Sequence, residues 1–94
     1  MTYRLLFKDE ALKEWRKLDG SIREQFQKKL RERLAEPRVE AARLSGMPNC
    51  YKIKLKSPGY RLVYQVRDET VTVVVIAIAK RERNLVYKIA VKRV

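Results

Sequence analysis

One run limits the possible folds of this chain more than any other feature: the nine residues from Val71 to Ala79, in which Thr72 is the single polar side chain. Valine and isoleucine favour extended structure. Apolar side chains on both faces are typical of a strand at the centre of a sheet, covered on both sides. The run is too short to cross a bilayer as a helix, which takes about 20 residues. The sequence therefore predicts a sheet with this segment as its central strand.

The charge balance is the other strong compositional signal. Lys and Arg number 23 against 11 Asp and Glu, which gives a net charge of +12 in 94 residues, of which 46% are hydrophobic. That apolar share is normal for a globular core, and the length fits a single domain spanning residues 1–94. The excess of positive charge indicates a polyanionic partner: nucleic acid, an acidic membrane surface or an acidic protein.

Residue types that are rare or missing exclude several kinds of active site. The chain has no histidine and only Cys50 as a cysteine, which excludes zinc sites built from these residues and nucleophiles paired with histidine. Asp68 and Glu69 have no third carboxylate nearby, which argues against a magnesium site. We therefore expect no metal and no cofactor. The lone cysteine and the lack of a signal-peptide pattern favour the cytoplasm, with no membrane association.

Two helices are predicted ahead of the main strands. Apolar residues at helical spacing mark one helix after Asp9 and a second that ends before Pro37. Asp9 and Ser21 are the predicted N-caps, and Gly20 is predicted to be left-handed at the end of the first helix. Because the connection is very short, we expect an antiparallel helical hairpin. Residues 3–7 alternate and predict a first strand at or near an edge of the sheet.

Basic and apolar side chains alternate with period two through residues 51–66, where two strands are predicted. If opposed residue numbers in this antiparallel pair sum to 115, the bulky apolar side chains all share one face. The same register places Lys54 opposite Arg61 on the other face, beside Lys52. It requires an even number of unpaired residues in the connection or a bulge near Pro58-Gly59.

These elements together predict an α+β fold. It consists of a small antiparallel or mixed sheet, the helical hairpin packed on its apolar face, an open basic face, and a short C-terminal helix that begins after Lys80 and carries Tyr87 off its apolar stripe.

The basic cluster can support one particular reaction. Like charges opposite each other destabilise a sheet, so a cluster on one face indicates function, although a solvated strand face is the ordinary alternative. RNA cleaves itself when its 2′-hydroxyl attacks the adjacent phosphate, which takes a base, cations and an acid. Without histidine, a lysine whose pKa is lowered by neighbouring cations can replace it, and arginine holds phosphate with its planar fork. Tyr87 could stack on a base or hold a hydroxyl, packing being the alternative.

Several segments resemble the RelE toxins of bacterial toxin–antitoxin systems, in the wider RelE/ParE superfamily. They are LKEWRKL at 12–18, GMP at 46–48, CYKIKL at 50–55, GYRLVY at 59–64 and AKRER at 79–83. The resemblance implies a RelE-like fold and a metal-independent endoribonuclease, an mRNA interferase that inhibits translation. Such toxins cleave mRNA in the A site of the 70S ribosome by attack of the 2′-hydroxyl, which leaves a 2′,3′-cyclic phosphate.

The same resemblance implies site residues and partners. The family's functional positions match five residues that we predict to be catalytic: Lys52, Lys54, Arg61, Arg81 and Tyr87. Three further basic residues are predicted to bind RNA or the ribosome: Lys56, Lys80 and Arg83. An acidic, RelB-like antitoxin is expected to neutralise the toxin. Toxin and antitoxin together are expected to bind operator DNA through the antitoxin and to repress their own operon.

Two other functions stay open. The first is a ParE-like inhibitor of DNA gyrase without nuclease activity. Such chains generally lack the combination of Lys52, Lys54, Arg81 and Tyr87, which argues against it. The second is a basic RNA-binding domain without catalysis, which the detection of a cyclic phosphate at a new 3′ end would exclude.

Overall fold

The computed structural model describes residues 2–55, 59–82 and 84–94. Its architecture is α+β, as the sequence predicts. In chain order the elements are β1 (Arg4–Phe7), α1 (Asp9–Arg16), α2 (Gly20–Ala35), β2 (Cys50–Lys54), β3 (Tyr60–Arg67), β4 (Thr72–Lys80) and α3 (Leu85–Arg93), with short 3-10 turns at Glu40–Ala42 and Asp68–Thr70. Among the described residues, every helix is too short or too polar to cross a membrane.

The four strands form one mixed sheet in the order β1-β4-β3-β2. β1 lies at an edge and runs parallel to β4, whereas the other neighbours are antiparallel. β4 is therefore an inner strand, and residues 72–78 are all buried. The predicted central strand is confirmed. The strand begins one residue later than predicted, because Val71 has a φ of +50° at the end of the preceding 3-10 turn.

The predicted register of the β2–β3 hairpin is also confirmed. Every pair from Cys50–Gln65 to Lys54–Arg61 sums to 115. The apolar members of both strands consequently face one side, and the basic members face the other. The connection between the strands includes Pro58, which lies outside the described residues, as does the bulge or even-numbered loop predicted there.

A bulge in the β3–β4 ladder changes which residues of β4 face each side of the sheet. The pairing passes from Val63–Ala77 to Tyr64–Val75, so Ile76 is an extra residue on β4. An extra residue interrupts the alternation of faces. Ile76 and Ala77 accordingly both belong to one buried cluster, while Val75 belongs to the other.

One core lies on the side of the sheet that receives the first two helices. Trp15 packs against this core, and its ring centroid lies 5.2 Å from that of Phe7. The apolar stripe predicted for the second helix is buried in the same core at Ile22, Phe26 and Leu30. The antiparallel arrangement of the two helices stays a prediction.

The opposite side of the sheet carries a second core, and the expectation of an open basic face is wrong in this respect. Val86 and Ala90 of α3 are buried there with Met47 and Cys50. Residues of β4 on this side are apolar. Leaving them in water would lose about 25 cal/mol of folding free energy for each Å² of apolar surface that stays exposed. The helix covers that surface, while Lys54 at the end of β2 stays exposed.

The helix boundaries differ from the sequence prediction in their capping residues. Lys8 is the N-cap of α1 and Asp9 is already its first residue. Asp19 is the N-cap of α2, so Gly20 begins that helix instead of ending the previous one, and Ser21 lies inside it. Neither N-cap side chain bonds to the backbone. Three residues connect the helices, too few for a separate left-handed end and a separate capping box.

Candidate functional site

The centre of the candidate site is a pair of basic residues on neighbouring strands. Lys54 near the end of β2 lies directly opposite Arg61 near the start of β3. Lys52 lies two residues earlier on β2 and projects to the same face, because side chains alternate along a strand. The structure therefore brings these three predicted residues together, on the side of the sheet that α3 covers in part.

Arg61 packs against the first turn of α3. Its guanidinium carbon lies 5.5 Å from the ring centroid of Tyr87, within the range of a cation–π contact. Its Nη1 donates to Asn84 Oδ1 over a long 3.5 Å, and its buried Nε has no hydrogen-bond acceptor in the described part of the chain. No carboxylate among the described residues forms an ion pair with Arg61. The charge is thus held in place by packing and is available to an anion.

Arg81 is fixed to the same end of the sheet through its backbone. Its N–H donates to the carbonyl of Gly59 at 2.6 Å. Gly59 has a φ of +89°, a conformation that favours glycine. This hydrogen bond ties the segment after β4 to the start of β3, two residues from Arg61. The side chain of Arg81 is exposed.

The crowding of positive charge changes the acidity of Lys54. The charge of Lys52 is the main cause that lowers the pKa of Lys54 below its ordinary value, and desolvation, Arg61 and Arg81 act in the same direction. A lower pKa increases the fraction of neutral amine at neutral pH. Neutral lysine is able to accept a proton, which is the property that a general base needs in a site without histidine.

The strand that carries the lysines is held in place by hydrogen bonds from a residue of α2 that was not predicted from the sequence. Arg33 of α2 donates to the carbonyl of Lys52 at 3.1 Å and to the hydroxyl of Tyr64 at 2.9 Å. The Tyr64 hydroxyl in turn donates to the carbonyl of Pro37 at 2.7 Å. Tyr64 is fully buried. No sequence signal distinguishes Arg33 from the other basic residues of α2.

Asn84 is a second residue of the site that was not predicted from the sequence. It adopts a φ of +62° at the N-cap of α3 and contacts Arg61. Asparagine tolerates this left-handed conformation better than most residues, so its place just before a predicted helix is a weak signal that was available.

Not every predicted residue joins the cluster. Lys80 pairs with Tyr60, so it projects to the face opposite that of Arg61. Its predicted contact with RNA receives no support from this placement. Lys56 and Arg83 lie outside the described residues. Tyr87 is half-buried and packs against the second core as well as against Arg61, so it has both a packing contact and a site contact.

The described residues offer little to a metal ion. They contain no group of three or more carboxylate or cysteine side chains that could bind one. Asp68 accepts hydrogen bonds from Arg38 and from the Tyr3 hydroxyl, each at 2.7 Å. Burial raises the pKa of the Cys50 thiol, which disfavours the thiolate that a metal or an electrophile would need.

Comparison with known proteins finds a matching family of toxins and a similar individual toxin. Residues 5–85 match the family model for the ParE toxin of type II toxin–antitoxin systems. The mRNA interferase toxin RelE of Escherichia coli strain K12 is 63% identical over 94 residues, which is 100% of this chain and 99% of that protein.

Two solved structures of related toxins have the same fold. The free E. coli RelE toxin with the R81A/R83A substitutions superposes with a TM-score of 0.92 at 61% identity, covering 100% of this chain and 99% of that one. The intact E. coli RelBE toxin–antitoxin complex gives 0.83 at 63% identity, covering 86% and 99%. With a family match over most of its length and this identity from end to end, the chain belongs to the RelE toxins of the RelE/ParE superfamily of type II toxin–antitoxin systems.

Proposed function

We propose that this protein is a metal-independent endoribonuclease that cleaves mRNA on the ribosome. The observation that carries the proposal is the convergence of Lys54, Arg61 and Tyr87, which come from two strands and the C-terminal helix. Arg81 is held at the same end of the sheet by its bond to Gly59. The relatives that are 63% identical along the whole chain are named mRNA interferases, which supports the same activity.

The proposed reaction is an internal transfer of a phosphodiester. The 2′-oxygen forms a bond to phosphorus while the bond from phosphorus to the 5′-oxygen breaks, which leaves a 2′,3′-cyclic phosphate and a 5′-hydroxyl. Lys54 or Tyr87 takes the proton from the 2′-hydroxyl. Lys52 and Arg61 hold the scissile phosphate, and Arg81 stabilises or protonates the leaving oxygen. Cations at these points stabilise the charge that develops in the transition state.

The shape of the site supports a role for the ribosome in completing it. Lys54 and Arg81 are exposed side chains at the protein surface. Such a surface binds RNA mainly through charge, so its binding is weak and depends on salt. We propose that the 70S ribosome holds the A-site codon against this surface, which places the protein in the cytoplasm. Free mRNA cut as fast as ribosome-bound mRNA would contradict this part of the proposal.

An acidic antitoxin of the RelB type is the proposed protein partner. A solved relative at 63% identity is a RelBE toxin–antitoxin complex, and the +12 charge of this chain favours an acidic polypeptide. We further propose that the two proteins together bind operator DNA through the antitoxin and repress their own operon. Co-expression with and without the antitoxin, with growth and mRNA ends as readouts, tests the neutralisation.

The catalytic proposal is tested by single-turnover cleavage on ribosomes programmed with a defined A-site codon. Arg61→Ala and Arg81→Ala should each slow cleavage at least about 10²-fold, because each removes a cation that contacts developing charge. Lys13→Ala is a matched control, since Lys13 is exposed on α1 and its loss changes the net charge equally. Lys80→Ala tests the predicted RNA contact separately. Cleavage at the wild-type rate by both arginine variants would refute the site.

Inhibition of DNA gyrase is the second candidate, because the matching family model is named for the ParE toxin. A supercoiling assay with purified gyrase separates the two. We expect no inhibition at toxin concentrations that arrest translation, and we expect a cyclic phosphate at the new 3′ end of the message. The reverse result would support the gyrase inhibitor.

A further inference from the structure

The C-terminal end of α3 is attached to the rest of the protein by a group of polar contacts that the site does not use. Arg93 Nη1 and Nη2 donate to the two carboxylate oxygens of Glu14 on α1, at 2.9 and 3.0 Å. Nη1 also donates to the carbonyl of Ile76 at 2.9 Å, and Glu14 Oε1 accepts from the backbone N–H of Ile78 at 3.1 Å. We call these contacts the Arg93 clasp.

The clasp is well formed in comparison with the other ion pairs of the described residues. The Arg93 and Glu14 side chains are 16% and 26% exposed, whereas the pairs Arg38–Asp68 and Arg43–Glu40 are 39% to 78% exposed. Two parallel bonds between a guanidinium and a carboxylate have a fixed geometry and are stronger than a single exposed contact. Burial and bidentate geometry together make the clasp a specific attachment.

The position of the clasp follows from the strands around it. β1 ends at Phe7, and beyond this point no strand of the described residues pairs with this edge of β4. The bulge at Ile76 then turns the carbonyl of Ile76 and the N–H of Ile78 toward this vacant edge. Both groups would need partners if they were buried. Glu14 and Arg93 provide them, and in doing so they connect α1, β4 and α3.

The helix that the clasp attaches is a short one. α3 has nine residues, and an isolated helix of this length is marginal in water. Its fully buried residues are Val86 and Ala90, Tyr87 and Ile89 are half-buried against the second core, and Leu85 and Val91 are 39% and 55% exposed. Its N-cap makes no side-chain bond to the helix. The clasp therefore adds a polar attachment at the far end of a short helix whose other contacts with the protein are mainly apolar.

We propose that Glu14 and Arg93 are positioning residues for cleavage, because the clasp holds α3 in the orientation that keeps Tyr87 against Arg61. Tyr87 lies six residues before Arg93, about 9 Å along the helix axis, so a rotation of the helix at its C-terminal end displaces the Tyr87 ring. Neither clasp residue is among those that we propose to contact RNA. This inference rests on the proposed nuclease function for its catalytic readout but not for its structural readout.

The first experiment compares two substitutions with the same change in charge on the same helix. Glu14→Gln breaks the bidentate pair, and Glu10→Gln removes only a 3.8 Å contact to Arg93 from a carboxylate that is 59% exposed. We expect Glu14→Gln to slow single-turnover cleavage about 10-fold or more, since small misplacements of a reacting group are costly. The ribosome concentration for half-maximal rate should stay within about 2-fold, and Glu10→Gln should stay within about 2-fold in both. Equal rates for the two variants would overturn the inference.

A double-mutant cycle separates positioning from general loss of structure. If the clasp acts through Tyr87, adding Glu14→Gln to Tyr87→Ala should slow cleavage by less than about 2-fold beyond Tyr87→Ala alone, because the effects of coupled residues are not additive. Arg93→Lys should show most of the loss caused by Glu14→Gln, since lysine keeps the charge but lacks the fork. Fully multiplicative effects of Glu14→Gln and Tyr87→Ala would refute positioning through Tyr87.

Hydrogen exchange of the free toxin gives a readout that does not depend on activity. In Glu14→Gln the amides of α3 should exchange at least about 10-fold faster relative to those of β4, whereas Glu10→Gln should leave this ratio unchanged. A uniform change in all amides, or no change in α3, would overturn the clasp even if cleavage slowed. If the wild-type protein cleaved no RNA, the proposed function would fail, while a selective change in α3 would still support the clasp.

Discussion

The hydroxyl of Tyr64 connects the fold to the candidate site, and its removal gives a quantitative test. The Tyr64→Phe substitution keeps the ring but deletes the donor to the Pro37 carbonyl and the acceptor for Arg33. Tyr64 is fully buried and Pro37 is buried, so water is excluded from the carbonyl that loses its partner. A buried polar group left without a hydrogen bond costs about 1–3 kcal/mol, and more when its partner is charged.

We therefore expect Tyr64→Phe to lower the free energy of unfolding by about 2–3 kcal/mol, because it removes one neutral and one charge-assisted bond. For a domain of this size that corresponds to a decrease in melting temperature of roughly 10–20 °C. Urea denaturation of the free toxin, followed by circular dichroism, measures the difference directly.

Tyr60→Phe is the matched control for this measurement. Tyr60 lies on the same strand and the same face, is half-buried, and in the described part of the chain its hydroxyl makes no hydrogen bond. We expect a change below about 0.5 kcal/mol there. Equal losses in the two variants would refute the assignment of the stability to the hydroxyl of Tyr64, and would point to packing of the ring instead.

Three further outcomes follow from the structure. If Lys54 is the base, Lys52→Gln should raise the pKa of Lys54 and move the rising limb of the pH–rate profile to higher pH; an unmoved limb would favour Tyr87 as the base. Gly59→Ala should destabilise the fold by about 1–2 kcal/mol in a denaturation experiment, because φ is +89° there although the added Cβ would meet only ordinary contact. The pKa of Asp68 is depressed in the folded state, so its carboxylate stabilises the fold above its usual pKa of 3.8, and this contribution is lost as the pH falls through the lowered value. Asp68→Asn should therefore be less stable than wild type near neutral pH in thermal scans, with the difference disappearing in acid; a difference that persists at low pH would contradict this.

Local patterns in the sequence were enough to predict the hairpin at the centre of the site. Apolar and basic residues alternate in both strands, and a slip of one residue would turn every apolar side chain to the wrong face. The confirmed pairing of Lys54 with Arg61 follows from that constraint. The helical stripe of α2 and the central position of β4 were predictable for the same reason, since periodicity and uniform apolarity are properties of neighbouring residues.

The helix caps were predicted wrongly because several candidates compete within a few residues. Asp19, Gly20 and Ser21 each suit a helix end, and in the structure Asp19 is the N-cap of α2. The bulge at Ile76 was unpredictable for a related reason. The run from Val71 to Ala79 is apolar at both odd- and even-numbered positions. Its sequence is therefore compatible with either set of residues facing a given side of the sheet.

Residue order was enough to predict which side chains share a face in β2, β3 and α2, because in these elements the backbone geometry repeats without interruption over a few residues. Only the folded molecule shows that β1 pairs in parallel with β4, that α3 covers part of the basic side of the sheet, and that Tyr87 contacts Arg61. These contacts join residues distant along the chain. Their geometry depends on how all the layers pack at once, and no short stretch of sequence contains that information.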